Sequence, residues 1–118
     1  MKATALVVPP IGNCYSVNLP EESAFVIISE HIGGHFDVVR MADVVGYVHD
    51  EGLLIGLSYN VRASMLFGVS LVGNCVLVGC LDNDGNFDGD DYDVPQQYLD
   101  LMSQWQVIPI TTKETETE

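Results

Sequence analysis

The run over residues 72–81 is apolar on both sides of an extended chain, and it constrains the fold more than any other segment. Alternate side chains of an extended strand point to opposite faces of a sheet. Here Cys75, Leu77 and Gly79 form one set, and Val76, Val78 and Cys80 form the other. A strand that is apolar on both faces belongs in the middle of a sheet. The run therefore predicts a central strand.

The rest of the chain predicts an α+β domain with a mostly antiparallel sheet of about five strands and two or three helices. Further strands are predicted over 3–8, 14–19, 36–41 and 44–49, and a tight loop at 50–52 is expected to turn the chain back as a strand over 53–55. Helices are predicted to begin at Pro20 and end at Gly33, to follow Asn60 as N-cap and end at Gly68, and to span 95–106 with Asp93 as a cap.

The chain has 118 residues, enough for one domain, which we place at 1–110. Residues 106–110 are expected to add an edge strand. The tail 111–118 alternates Thr and Glu, and we expect it to be disordered.

The acidity of the chain is unevenly distributed. The net charge is −13, but residues 1–81 hold seven acidic and three basic side chains, a net charge of −4. Residues 82–118 hold ten acidic and one basic, a net charge of −9. Such a balance excludes direct nucleic-acid binding and adhesion to an anionic membrane, since both require clustered Lys and Arg. It also argues against full DNA mimicry, which needs carboxylates over the whole folded surface.

The cysteine pattern and the absence of long apolar stretches bear on location. Cys14, Cys75 and Cys80 are an odd number without dense spacing, which is typical of free thiols in a reducing compartment. No stretch approaches the roughly 18 apolar residues of a membrane span. We expect a cytoplasmic protein.

The acidic loop over residues 82–93 is the first candidate site. Its carboxylates are expected to face a basic partner surface, and they are Asp82, Asp84, Asp88, Asp90, Asp91 and Asp93. Asp84, Asn86 and Asp88 also have the spacing of a calcium loop, but the bidentate Glu is replaced by Pro95. A solvated turn is the simpler interpretation, and calcium remains a weak candidate.

Patterns for metal binding or catalysis are weak elsewhere. His31 and His35 are separated by two glycines, and Cys75 and Cys80 should point to opposite faces of their strand. Neither pair has zinc spacing, and no nucleophile–base pair can be assembled. The sequence predicts no enzyme, no cofactor and no metal.

Arg62 is one of three basic residues in the first 81 and falls in the first turn of the helix after Asn60. A cation there opposes the helix dipole and needs compensation. One interpretation is a salt bridge to Asp50 or Glu51. The other is a small anion, phosphate or carboxylate, held by Arg62 with Asn60 and Ser64 nearby.

Three motifs carry a family resemblance. They are Gly33-Gly34-His35-Phe36-Asp37-Val38-Val39, then Asp50-Glu51-Gly52-Leu53-Leu54 with Gly56-Leu57 and Asn60-Val61-Arg62-Ala63-Ser64, and finally Val72-Gly73-Asn74-Cys75-Val76-Leu77-Val78-Gly79. In this order they resemble the domain of unknown function 3846 family, small proteins of bacteriophages and of bacteria such as actinomycetes. The resemblance covers roughly residues 3–81 and the helix near Tyr98, and Ser64 stands where the family more often has Thr. It implies a phage accessory protein in the bacterial cytoplasm and brings no established activity.

These observations favour a non-enzymatic protein that binds a host protein with a basic surface and inhibits a defence or nucleic-acid-handling factor. A binding or sequestering protein for a nucleotide or other small anion is the alternative. A structural homodimer through an exposed sheet edge also stays open.

Overall fold

Six strands and three helices make up residues 2–105, the part of the chain that this computed structural model describes. The strands are β1 (Lys2–Val8), β2 (Tyr15–Pro20), β3 (Phe36–Met41), β4 (Val44–His49), β5 (Cys75–Leu81) and β6 (Phe87–Tyr92). The helices are α1 (Ala24–Ile32), α2 (Val61–Phe67) and α3 (Gln96–Gln104). The predicted edge strand over 106–110 and the tail 111–118 lie outside the described residues.

All strand pairs are antiparallel, and five strands follow the order β2-β1-β5-β4-β3. β4 lies along one side of β5. On the other side β1 pairs with Cys75–Leu77, and β6 pairs with Gly79 and Leu81 farther along. The structure thus confirms both the α+β class and the central position of the apolar strand.

Helices cover both faces of the sheet. Ile28 and Ile32 of α1 pack on Val76, Val78 and Cys80. The opposite face carries Leu77 and Cys75, which lie in one cluster with Ala63 and Leu66 of α2 and Met102 of α3. Because both faces are covered, β5 is buried along nearly its whole length.

The strand predicted over 53–55 is wrong. Residues 50–56 form consecutive turns in which the Ile55 N–H donates to Glu51 O and the Leu57 N–H to Gly52 O. A returning strand has no edge to pair with, since β4 is already bonded to β3 and β5. Leu53 and Leu54 are consequently exposed, at 77% and 85%.

Two helix starts and the acidic loop also differ from expectation. α1 begins at Ala24 rather than Pro20, because Pro20 pairs with Lys2 at the end of edge strand β2. Asp93 does not cap α3, because the N-cap of that helix is Pro95. The Asp93 carboxylate instead accepts a hydrogen bond from the Thr4 N–H at 2.7 Å. The segment 82–93 is a hairpin rather than a loop, since β6 fills the side of β5 that β1 leaves unpaired.

We expect Leu54→Ala to change the free energy of unfolding by less than about 0.5 kcal/mol, because its side chain lies in solvent. Leu77→Ala, the same deletion at a fully buried site, should lower it by about 3 kcal/mol. Urea denaturation of both variants measures the difference. Equal losses would mean that residues 53–55 are packed as a strand after all.

Candidate functional site

Asn60 connects three segments at the start of α2. Its Oδ1 accepts from the Ala63 N–H at 3.0 Å, which confirms the predicted N-cap. Its Nδ2 donates to Val8 O and Gly73 O, both at 2.8 Å. The side chain is fully buried, so its oxygen and both its amide hydrogens are used within the fold.

Ser64 is also occupied by the backbone. Its hydroxyl accepts from the Leu71 N–H at 2.8 Å and donates to Leu71 O at 3.2 Å. This pair fixes the segment that leads from α2 into β5. Of the three residues predicted to hold an anion, Asn60 and Ser64 therefore hold the chain itself together.

Arg62 is 2% exposed, and its side chain extends from α2 toward the end of α3. Its guanidinium donates to Pro9 O at 2.7 Å and to Trp105 O at 3.2 Å, while its Nε has no hydrogen-bond partner among residues 2–105. Among residues 2–105 it forms no ion pair, so the salt bridge predicted to Asp50 or Glu51 is wrong. Asp50 instead lies 3.7 Å from His49 Nδ1.

A pocket of about 350 Å³ opens beside Arg62. Its lining combines Leu6, Leu99 and Met102 with the polar side chains of Asn13, Cys14 and Ser103. Burial raises the pKa of the Cys14 thiol, and the Arg62 charge acts in the opposite direction. Sequence reasoning missed Asn13 and Cys14, because no local spacing links the β1–β2 loop to α2.

The carboxylates of the hairpin 82–93, here called the acidic hairpin, divide into two groups. Four accept hydrogen bonds that hold the hairpin. Asp82 binds the Asp84 and Asn86 N–H groups, Asp88 binds the Asp90 N–H and the Tyr92 hydroxyl, Asp91 binds the Tyr47 hydroxyl, and Asp93 binds Thr4. Asp84 and Asp90 accept none from residues 2–105 and are exposed. These two are free to contact another molecule.

An acidic pocket of about 260 Å³ lies between the acidic hairpin and α1. The carboxyl groups of Glu21, Asp90 and Asp91 line it together with the apolar side chains of Leu19 and Phe25. Burial raises the pKa of Asp91, while the Tyr47 hydroxyl, at 2.6 Å, opposes that shift. Burial, and after it the same hydrogen bond to Asp91, raises the pKa of Tyr47. No local pattern indicates the part played by Glu21, which is distant from the hairpin along the chain.

The other polar clusters do not assemble a metal centre. Within residues 2–105 no group of three or more His, Cys, Asp or Glu side chains is placed to hold a metal ion. Cys75 and Cys80 lie on opposite faces of β5, as predicted, and burial raises the pKa of Cys75 to about 12. His31 contacts Tyr15, whose hydroxyl lies 3.0 Å from its Nδ1. The calcium spacing at Asp84, Asn86 and Asp88 stays a prediction.

Comparison with known proteins gives one family and one related fold. The family model described as "Domain of unknown function (DUF3846)" matches residues 1–103. This match confirms the resemblance of the motifs, and the matched range also includes the acidic hairpin. No curated protein matches the chain. None of the helices in the described segment is long and apolar enough to cross a membrane.

A solved structure, the crystal structure of the small RNA methyltransferase HEN1, is similar in fold. It superposes with a TM-score of 0.59 and 22% sequence identity, over 80% of this chain and 15% of that chain. At this identity the likeness concerns the fold alone. Since the match spans so small a share of the methyltransferase, it carries no activity over to this chain.

We expect Asn60→Ala to lower the free energy of unfolding by about 3 kcal/mol, because three hydrogen bonds are lost and their backbone partners stay buried. Asn18→Ala on the exposed side of β2 is the control and should change it by less than about 0.5 kcal/mol. Chemical denaturation measures both values. A small loss at Asn60 would contradict its role in connecting the three segments.

Asp91 provides a pH test. The folded state raises the pKa of Asp91, so protonated Asp91 stabilises the fold at pH values below its ordinary pKa. This contribution to the free energy of unfolding is lost as pH rises through the raised pKa. Asp91→Asn should therefore raise the melting temperature at pH 7, and the gain should shrink as pH falls through the raised pKa and be absent below about 4. Asp37→Asn, exposed on β3, removes the same charge and controls for general repulsion. Identical pH profiles for the two variants would refute the assignment.

Proposed function

This chain belongs to the DUF3846 family, and for this member we propose a non-enzymatic phage accessory protein that binds a host protein with a basic surface. Its action is the inhibition of a host defence or nucleic-acid-handling factor in the bacterial cytoplasm. The observation that carries the proposal is the pair of exposed carboxylates, Asp84 and Asp90, on a hairpin that the neighbouring aspartates hold in place.

The hairpin presents this charge in a fixed geometry. In a flexible loop, part of the binding free energy would be lost in ordering the chain. Here Asp82 and Asp88 close the turn through backbone N–H groups, and Asp93 ties its end to Thr4. The Arg40 guanidinium lies 4.0 Å from the centre of the Phe87 ring and braces the opposite side. A preformed negative surface raises the rate of association with a basic partner.

The acidic pocket matches the side chain of Lys or Arg in that partner. Such a side chain has an apolar stem and a charged end. The exposed ring of Phe25 offers apolar contact for the stem, and Asp90 and Asp91 offer carboxylates for the end. Burial disfavours the charged form of Asp91, so a cation placed there relieves a cost that the isolated fold carries.

Exposed aromatic side chains beside the carboxylates favour a protein partner over a small cation. Phe25 is 65% exposed and Phe87 is 53% exposed. Protein interfaces combine aromatic contacts at the centre with a polar rim. A non-enzymatic role is consistent with the thiols, since burial raises the pKa of both Cys14 and Cys75 and so disfavours the nucleophilic thiolate.

The test compares the double variant Asp84→Asn/Asp90→Asn with the wild-type chain. Each immobilised protein is incubated with host lysate at low and high salt, and bound proteins are identified by quantitative mass spectrometry. The purified partner is then tested for direct binding. We expect the double variant to associate with the purified partner roughly 10-fold more slowly than the wild-type chain at low salt. High salt should abolish this difference between the two proteins.

The matched control is Asp37→Asn/Glu51→Gln, which removes two exposed carboxylates away from the hairpin. It has the same net charge as the hairpin variant and should bind at nearly the wild-type rate. If both double variants lose binding equally, net charge rather than the acidic hairpin is responsible. A partner whose binding ignores both salt and the hairpin substitutions would also refute the proposal.

A further inference from the structure

Arg62 is a buried cation to which residues 2–105 supply no counter-charge. Its side chain is only 2% exposed, and no carboxylate of residues 2–105 pairs with it. Burying a charge is costly unless it is paired and hydrogen-bonded. The two backbone carbonyls that it reaches supply hydrogen bonds but carry no net charge. An anion beside the guanidinium would remove this imbalance.

The guanidinium also has unused donors. It carries five N–H bonds, and two of its nitrogens donate to described residues, at Pro9 O and Trp105 O. The Nε N–H is buried and finds no acceptor in the described part of the chain. Such a planar fork is suited to the paired oxygens of a carboxylate or phosphate. The predicted salt bridge to Asp50 or Glu51 would have used such donors, whereas the Nε N–H has no partner among residues 2–105.

The pocket beside Arg62 has the composition expected for a small organic anion. Its volume of about 350 Å³ is within the range of ligand cavities. Leu6, Leu99 and Met102 form an apolar wall, and Asn13 adds an amide near the opening. Inorganic ions alone would leave the apolar wall without contacts.

We propose that this pocket binds a small organic oxyanion, with its carboxylate or phosphate group on Arg62 and its apolar part against Leu6, Leu99 and Met102. Asn60 and Ser64 act as positioning residues, because they fix the start of α2 from which Arg62 extends. Anion binding at this pocket is independent of the proposed partner binding. The Arg62 pocket lies on the sheet face covered by α2 and α3, and the acidic pocket lies on the face covered by α1.

Cys14 provides a reporter for occupancy. It lines the Arg62 pocket and is partly exposed, whereas Cys75 and Cys80 are buried. The full chain is alkylated with neutral iodoacetamide, and the rate at Cys14 is followed by peptide mass spectrometry. Butyrate and monobutyl phosphate are the probes, and butyramide is the neutral control. We expect saturable loss of most Cys14 reactivity with the anions and none with butyramide.

The variant Arg62→Met should raise the apparent Kd for the protecting probe by about 10- to 100-fold, the range of a charge-assisted hydrogen bond. Arg40→Met removes the same charge from exposed β3 and should leave the Kd unchanged. Leu99→Trp fills the pocket and leaves Arg62 itself in place, so it should abolish protection even if Arg62→Met fails to fold.

Protection by butyrate or by monobutyl phosphate supports the site and identifies the head group. Protection by butyramide as strong as by the anions would overturn it, as would full protection in Leu99→Trp. If neither anion protects the wild-type chain, the pocket does not bind this class of ligand. Salt separates the two proposals, because the Arg62 charge is shielded from solvent whereas the acidic hairpin is exposed. Added salt should weaken partner binding far more than anion binding.

Discussion

The two apolar faces of β5 determine the layout of the whole domain. Each face must be covered, and a single helix can cover one, so the chain places α1 on one side and α2 with α3 on the other. β5 also needs hydrogen-bond partners along both edges. β4 satisfies one edge, while β1 and β6 share the other. The acidic hairpin therefore owes its order to the central strand, because β6 completes an edge that would otherwise leave buried backbone groups unpaired.

The sequence predicts the structure correctly where local chemistry determines it. The apolar alternation of β5, the Asn60 cap and the left-handed glycines Gly33 and Gly68 are local signals, and the structure has all of them. The prediction fails where the pairing of strands distant in the sequence determines the structure. Leu53–Ile55 has the composition of a strand, but both edges of β4 are taken. Asp and Gly residues in 82–93 are turn formers, but half of them lie in β6, because this strand pairs with the part of the β5 edge that β1 leaves unpaired.

At the candidate site, too, local signals in the sequence identify the residues but not their tertiary contacts. Arg62, Asn60 and Ser64 were singled out from their positions at a helix start, yet that position does not reveal which groups are already used. Asn60 and Ser64 use their polar atoms on backbone groups of other segments. Arg62 extends to carbonyls that are far away in sequence and meets a pocket formed by β1, its following loop and α3. That no carboxylate of residues 2–105 pairs with it is a property of the tertiary structure, which no spacing in the sequence expresses.

The two charged features of the molecule follow opposite physical rules. The carboxylates of the acidic hairpin are mostly solvated, so each costs the fold little, and their field reaches outward until salt screens it. The Arg62 charge is removed from water, so it costs the fold more, and its attraction acts over a short range that salt hardly reaches. The net charge of −13 reflects the many carboxylates of the chain and gives no sign of the buried charge of Arg62. An exposed charge cluster is suited to finding a large partner, whereas a buried charge in an apolar pocket is suited to retaining a small one.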